Sequence, residues 1–223
     1  MPETESNIAK LGNGVGVAAI GDVAVVLDVT QNRYSLWRGT CAAALVQLAS
    51  KSPCSVPEPE LQRLQAHGLV AERVETPGPW LSPTEVAEPT VSLLEGPEQG
   101  QLDFLPAMES IWACMQVRIE LQQRTLHGIL ASLPRLQRGR SVQDLAGHAR
   151  AFDRARRFAP VRPRCLPDAL AYVRKARRRG HPADLVFGVK LQPFEAHCWA
   201  QCGNLVLTDP LERVRRFQVV LAV

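Results

Sequence analysis

Apolar residues in the first third of the chain come in short runs rather than helical cycles. Val15 to Ile20 and Val23 to Asp28 are rich in Val and Ala and are separated by Gly21-Asp22, which predicts a hairpin. Gln31-Asn32 starts another turn, and Arg33-Tyr34-Ser35-Leu36-Trp37 alternates polar with apolar, as a third strand does. The pattern then changes. Thr40 stands as an N-cap before an Ala/Leu-rich helix from Cys41 to Ala49. Pro57-Glu58-Pro59-Glu60 opens a second helix through Leu61, Leu64 and Gln65, which His67-Gly68 ends, and Leu69-Val70 continues as a strand or short helix. Three strands followed by short helices predict a small winged-helix module.

Helical spacing dominates further on. Met108, Ile111, Trp112, Met115, Ile119 and Leu126 fall on one face of a long helix over Leu105 to Leu126. Ser141 is placed to cap another helix through Leu145 and His148. A third opens at Cys165, with Pro167 and Asp168 suited to a first turn and Gly180 ending it after a basic last turn. Three strands follow: Ala183 to Leu191, His197 to Gln201, and Leu205 to Asp209. Helices followed by an antiparallel sheet predict an α+β domain. Between the halves lies a Pro-, Glu- and Gly-rich stretch from Thr76 to Gly100 with little periodicity, read as a linker. The expected division is a recognition module over 1–80, an acidic linker over 81–105 and a second domain over 106–223.

Composition narrows the classes. The chain has 223 residues, 46% hydrophobic and 22% charged, which suits a soluble globular protein with a buried core. No apolar run reaches the ~20 residues of a membrane span, and the polar, acidic start is not a secretory signal. A cytoplasmic protein is therefore expected, with Cys41, Cys54, Cys114, Cys165, Cys198 and Cys202 as free thiols. Their spacing suits no zinc site, and no metal or other cofactor is expected. Residues 1–80 carry a balance of −2, residues 81–105 of −5 and residues 106–223 of +11. The basic half suits an acidic peptide, a nucleotide or nucleic acid. Its runs, Arg154 to Arg157 and Arg174 to Arg179, read either as solvated helix faces or as a docking surface.

Candidate chemistry centres on Cys165. A helix start offers free N–H groups and positive partial charge, and Arg162 and Arg164 lie just upstream; all favour the thiolate, which is the nucleophile. His197 falls on a strand and Asp209 at the end of the next. A three-residue loop, Cys202-Gly203-Asn204, would pair 201 with 205 and hence His197 with Asp209 across the ladder. A two-residue Gly203-Asn204 loop would put them on opposite faces. In the first arrangement the carboxylate orients the imidazole and the imidazole activates the thiol. His67, His127, His148 and His181 join no constellation of this kind.

Cys165-Leu166-Pro167-Asp168, Phe187-Gly188-Val189, Pro193-Phe194, Ala196-His197-Cys198-Trp199 and Thr208-Asp209-Pro210 together resemble the transglutaminase-like leader peptidase of lasso-peptide biosynthesis, the B protein of those gene clusters. The resemblance covers about the last 120 residues. It implies a papain-like α+β fold, with Cys165, His197 and Asp209 as catalytic residues. Val26-Leu27-Asp28, Tyr34, Leu36-Trp37 and Gly68-Leu69-Val70 resemble the PqqD-like recognition element often fused to it. That resemblance implies a leader peptide added as a strand beside Arg33, Tyr34, Ser35, Leu36 and Trp37, resting on the last helix at Leu64. The implied partners are a lasso precursor peptide and a separate ATP-dependent cyclase resembling asparagine synthetase.

Two rival readings stand beside this one. A winged helix plus a basic half suits a nucleic-acid-binding regulator, although here the winged-helix half is the acidic one. A transglutaminase-type acyltransferase would use the same three residues with an amine as acceptor.

Overall fold

The computed structural model describes residues 9–50, 56–71, 78–96, 104–134 and 142–223. Cys54, the Ser141 cap and parts of the Pro-rich stretch lie outside the described residues.

The hairpin forms where its turn residues demand it. β2 (Val15–Ile20) and β3 (Val23–Asp28) follow a two-residue strand, β1 (Lys10–Leu11), and pair with Ile20 opposite Val23. Gly21 supplies the positive φ that the tight turn needs. The Asp28 side chain then accepts the N–H groups of Thr30 and Gln31 and turns the chain into β4 (Arg33–Arg38). β4 pairs only with β3, so its outer edge is open among the described residues. α1 (Gly39–Ala49) and α2 (Glu58–Ala66) cover one face of this sheet, and β5 (Val70–Ala71) closes the unit by pairing with β1. Thr40 is not the N-cap of α1. That position is Arg38, without a side-chain bond, and the Thr40 hydroxyl donates to Glu60. Leu64 is fully buried in the core beneath α1 and α2, so it packs the module rather than lining a groove.

The second half has a five-stranded sheet in the order β10-β7-β8-β9-β6. Its strands are β6 (Val91–Ser92), β7 (Asp184–Leu191), β8 (Phe194–Cys202), β9 (Leu205–Val206) and β10 (Gln218–Ala222). One face carries α3 (Phe104–Gln123), α5 (Val142–Arg157) and α6 (Cys165–Arg178). The other buries Val186, Trp199, Val206, Phe217 and Val214 of the short α7 (Leu211–Val214). The long predicted helix stops at Gln123. Thr125 accepts the Gly128 N–H at 3.2 Å and starts a separate α4 (Leu126–Ala131).

The stretch read as a linker is built into this sheet in its described part. Val91 and Ser92 pair in parallel with β9, Leu81 bridges Ala222, and the Ala87 carbonyl accepts from Gln201. The two halves also share a core. Ala18, Val25 and Leu27, on the face of the first sheet away from α1, lie in the same buried cluster as Leu170, Leu185 and Val220. Gly16 marks the crossing. A Cβ there would stand 2.4 Å from the Val220 carbonyl oxygen and 2.6 Å from Leu221 Cβ, so only glycine lets β2 lie this close to β10.

The basic runs are not simply solvated faces. Arg156 and Arg177 are buried. Arg177 donates to the carbonyls of Ala183 and Val223 and pairs with Asp184, tying α6 to the start of β7 and the end of the chain. No helix among the described residues is long and apolar enough to cross a membrane.

Candidate active site

α6 begins at Cys165 because its neighbours satisfy the helix start. Arg164 is extended at the N-cap, and the Asp168 carboxylate reaches back to accept the Arg164 N–H at 2.9 Å. Asp168 is itself held by Arg156 Nε at 2.8 Å. Pro167 falls where its missing N–H costs nothing. The helix packs on β8, which brings the half-buried Cys165 against residues 197 and 198. Among the described residues β9 pairs only with the Gln201–Cys202 end of β8, and no strand pairs with that edge beside residues 197 and 198.

The Cys165 sulfur lies beside the Cys198 thiol, the His197 ring and the Cys198 backbone N–H. The proximity of Cys198, and then of His197, outweighs burial and pushes the Cys165 thiol down to about 4. Arg162 and Arg164 are not among the main contributors. Two side chains from a distant strand, rather than arginines close in sequence, act on the sulfur.

His197 is buried, and its Nε2 lies 2.9 Å from Asp209 Oδ1. That leaves Nδ1 as the ring nitrogen for the thiol. Burial alone would pull the imidazolium down, but the bonds to Asp209 and Cys165 prevail and push it up to about 9. The ring packs between Trp199 and Phe217, at centroid distances of 6.1 and 5.1 Å. Gly188, opposite His197 on β7, makes room for these rings. A Cβ there would come 2.8 Å from Trp199 and 2.9 Å from Phe217 Cβ.

The route by which Asp209 reaches His197 differs from the expected one. The loop is the two-residue Gly203-Asn204, with Cys202 opposite Leu205 and Gln201 opposite Val206. Continued straight, this register would send Asp209 to the face opposite His197. The ladder ends first. The Leu207 N–H still bonds the Ala200 carbonyl, but the Ala200 N–H is taken by Thr208 Oγ1 at 2.9 Å. A side chain replaces the backbone acceptor, the chain bends over 207–209, and Asp209 swings to the imidazole. Thr208 Oγ1 donates to Asp209 Oδ2 at 3.1 Å, and Ser92 Oγ donates to the Asp209 carbonyl at 2.8 Å.

Ser92 and Thr208 are positioning residues without a signal in the local pattern; Ser92 comes from the stretch read as a linker. Ser92→Ala removes a buried donor and leaves the Asp209 carbonyl unsatisfied. It is expected to cost about 1–3 kcal/mol of stability, read as a fall in thermal midpoint.

The residues expected to meet a peptide divide along β4. Tyr34 packs edge-on against Phe194 at 5.8 Å. Burial, then the nearby Cys198 and Cys165, raises its phenol well above the ordinary value, so it stays protonated. The strand therefore runs beside the thiol. Arg33 and Leu36 are exposed, while Ser35 Oγ accepts from Trp37 Nε1 at 3.0 Å and the Trp37 ring meets His67. His127 lies on Trp80, and His148 on His181, where burial foremost pushes His148 down to about 4. Among the described residues no group of three or more His, Cys, Asp or Glu side chains is placed to hold a metal ion.

No curated protein and no solved structure matches the chain. A thiol at a helix start, an imidazole on the adjoining strand and a carboxylate just beyond the next strand form the arrangement on which cysteine acyl chemistry is built. The family described as Transglutaminase-like superfamily matches residues 111–222, from within α3 to the end of β10, and the chain belongs to that superfamily.

Proposed function

We propose that the chain is a cysteine peptidase that removes the leader of a ribosomally made lasso precursor peptide. The observation that carries the chemical part is the meeting of Cys165, at the start of α6, with a His197 ring whose Nε2 lies 2.9 Å from Asp209 Oδ1. In this reading the thiolate attacks the carbonyl carbon at the leader–core junction. Cys165 is the first residue of α6 and has no intrahelical acceptor for its N–H, and that N–H is assigned to the oxyanion. The His197 imidazolium gives its proton to the departing amine, leaving a thioester on Cys165. His197 then takes a proton from water, the hydroxide attacks the thioester, and the thiolate returns as the leader acid leaves.

The open edge of β4 supports the recognition part. A leader strand added there would hydrogen-bond to the backbone of residues 33–37 and run past Tyr34 toward Cys165. Residues 1–80 would act as a PqqD-like winged-helix recognition module, 81–105 as the connection and 106–223 as the peptidase. The freed core would pass to an asparagine-synthetase-like cyclase, which uses the ATP, in the cytoplasm.

The test is to incubate the full chain with a lasso precursor peptide and weigh the products. Two fragments whose masses sum to the precursor plus one water are expected. A leader joined to an added amine would replace the peptidase with an acyltransferase, and an intact precursor would remove both. The pH profile is a second expected result. Below about 4 the thiolate protonates and above about 9 the imidazolium loses its proton, so kcat/KM should form a bell with limbs near those values.

A further inference from the structure

The mechanism leaves one buried nucleophile unused. Cys198 follows His197 on β8, but its side chain points to the opposite face, into the cluster beneath α6 where Cys165 also packs. There it is a close neighbour of Cys165, whose half-buried side chain packs against the same cluster. Burial, and then the proximity of Cys165, holds the Cys198 thiol protonated. One sulfur is thus half-exposed, and its neighbour is buried. That asymmetry decides which of the two an oxidant meets first.

We propose that Cys165 and Cys198 form a peroxide-reactive pair in which Cys198 resolves oxidised Cys165 as a disulfide. The Cys165 thiolate attacks one oxygen of a hydroperoxide. The O–O bond breaks, hydroxide (or alkoxide) leaves, and Cys165 becomes a sulfenic acid. The Cys198 sulfur then attacks the Cys165 sulfur. Its proton goes to the departing hydroxyl, the S–O bond breaks and water leaves. Two thiols lose two electrons in total, and a hydrogen peroxide is reduced to two waters. The product blocks the nucleophile but is opened again by a dithiol, whereas a sulfenic acid without a partner goes on to the irreversible sulfinic acid. The other thiols are worse partners. Cys202 is four residues beyond Cys198, about 13 Å further along β8 from it, and Cys114 is buried within α3.

The inference concerns the same Cys165 as the proposed peptidase, but its readout is the covalent state of two cysteines. A chain that forms the disulfide and cleaves no leader loses only the peptidase reading. One that cleaves leader and forms no disulfide loses only this inference. Full-length protein is treated with near-stoichiometric hydrogen peroxide, alkylated, cut with trypsin and weighed. The expected product is the peptide over residues 165–174 joined to that over 191–213, lighter by two hydrogens, with Cys202 alkylated. Dithiothreitol should restore the free thiols in full. In Cys198→Ala, and in Cys198→Ser as a second variant, Cys165 should instead accumulate as sulfinic acid that dithiothreitol does not recover. Sulfinic Cys165 beside free Cys198 in the unmodified protein, or Cys165 joined to a different cysteine, overturns the proposal. Because the linked peptide is sought in the unmodified chain, the outcome does not depend on either variant folding.

Discussion

Cys165→Ala is expected to abolish leader removal, with a loss in turnover of roughly 10⁶-fold, the scale seen when a hydrolase loses its nucleophile, while leader affinity stays within about twofold. The first half of this expectation follows from the thioester path. Without the sulfur there is no covalent intermediate, and His197 and Asp209 have nothing to activate but water. The second half follows from the geometry. The open edge of β4 is supplied by backbone groups, and an alanine at the start of α6 keeps the helix and its Asp168 bond to the Arg164 N–H. Fluorescence anisotropy with a labelled leader and mass analysis of the cleavage reaction read the two halves separately. Retained cleavage by a clean Cys165→Ala preparation would falsify the nucleophile assignment.

Asp209→Asn is the second large effect. The carboxylate fixes the His197 ring by accepting from Nε2 at 2.9 Å, and it helps hold the imidazolium up to about 9. Asparagine has nearly the same shape and keeps the Ser92 bond, which goes to the backbone carbonyl. The fold should therefore survive. The catalytic loss should not be small, because a neutral amide neither holds the ring tautomer as firmly nor stabilises the ion pair. The comparable carboxylate-to-amide change in a serine-protease triad costs about 10⁴-fold, and a loss of that order in kcat is expected here. The pH profile separates this role from a merely structural one. The alkaline limb near 9 depends on Asp209 and should move down toward the ordinary histidine range in the variant. An unchanged alkaline limb would mean that Asp209 does not govern His197.

Much of this site was legible in one dimension. Cys165 follows an extended residue and precedes Pro167 and Asp168, and those side chains place a helix start there whatever the rest of the chain does. The turn at Gly21-Asp22, the strand over 33–37 and the strand beginning near Ala183 are equally local. Cys198 was visible only as part of a motif, with no sign of its role. Its thiol matters because α6 crosses β8 at that level, and no pattern along the strand encodes that crossing. The His197–Asp209 pair was anticipated from a register that the chain does not use. Gly203-Asn204 makes a two-residue loop, and the pair forms because Thr208 takes the Ala200 N–H and bends the chain out of the ladder. β10 and Ser92 escaped notice for a related reason. A five-residue apolar end and a serine in a Pro-rich stretch look unremarkable until they are seen against β7 and Asp209.

From its sequence alone the protein is an α+β chain with strands first, helices next and a sheet last, carrying a thiol at a helix start, because element type is set by side chains a few positions apart. The tertiary structure alone decides that the two halves share a core across Gly16, that a supposed tether anchors the Asp209 backbone, and that a second thiol lies beside the first. Those are contacts between residues tens of positions apart. They depend on where strands end, bend and leave an edge open, and backbone hydrogen bonding settles this only once the whole sheet is assembled.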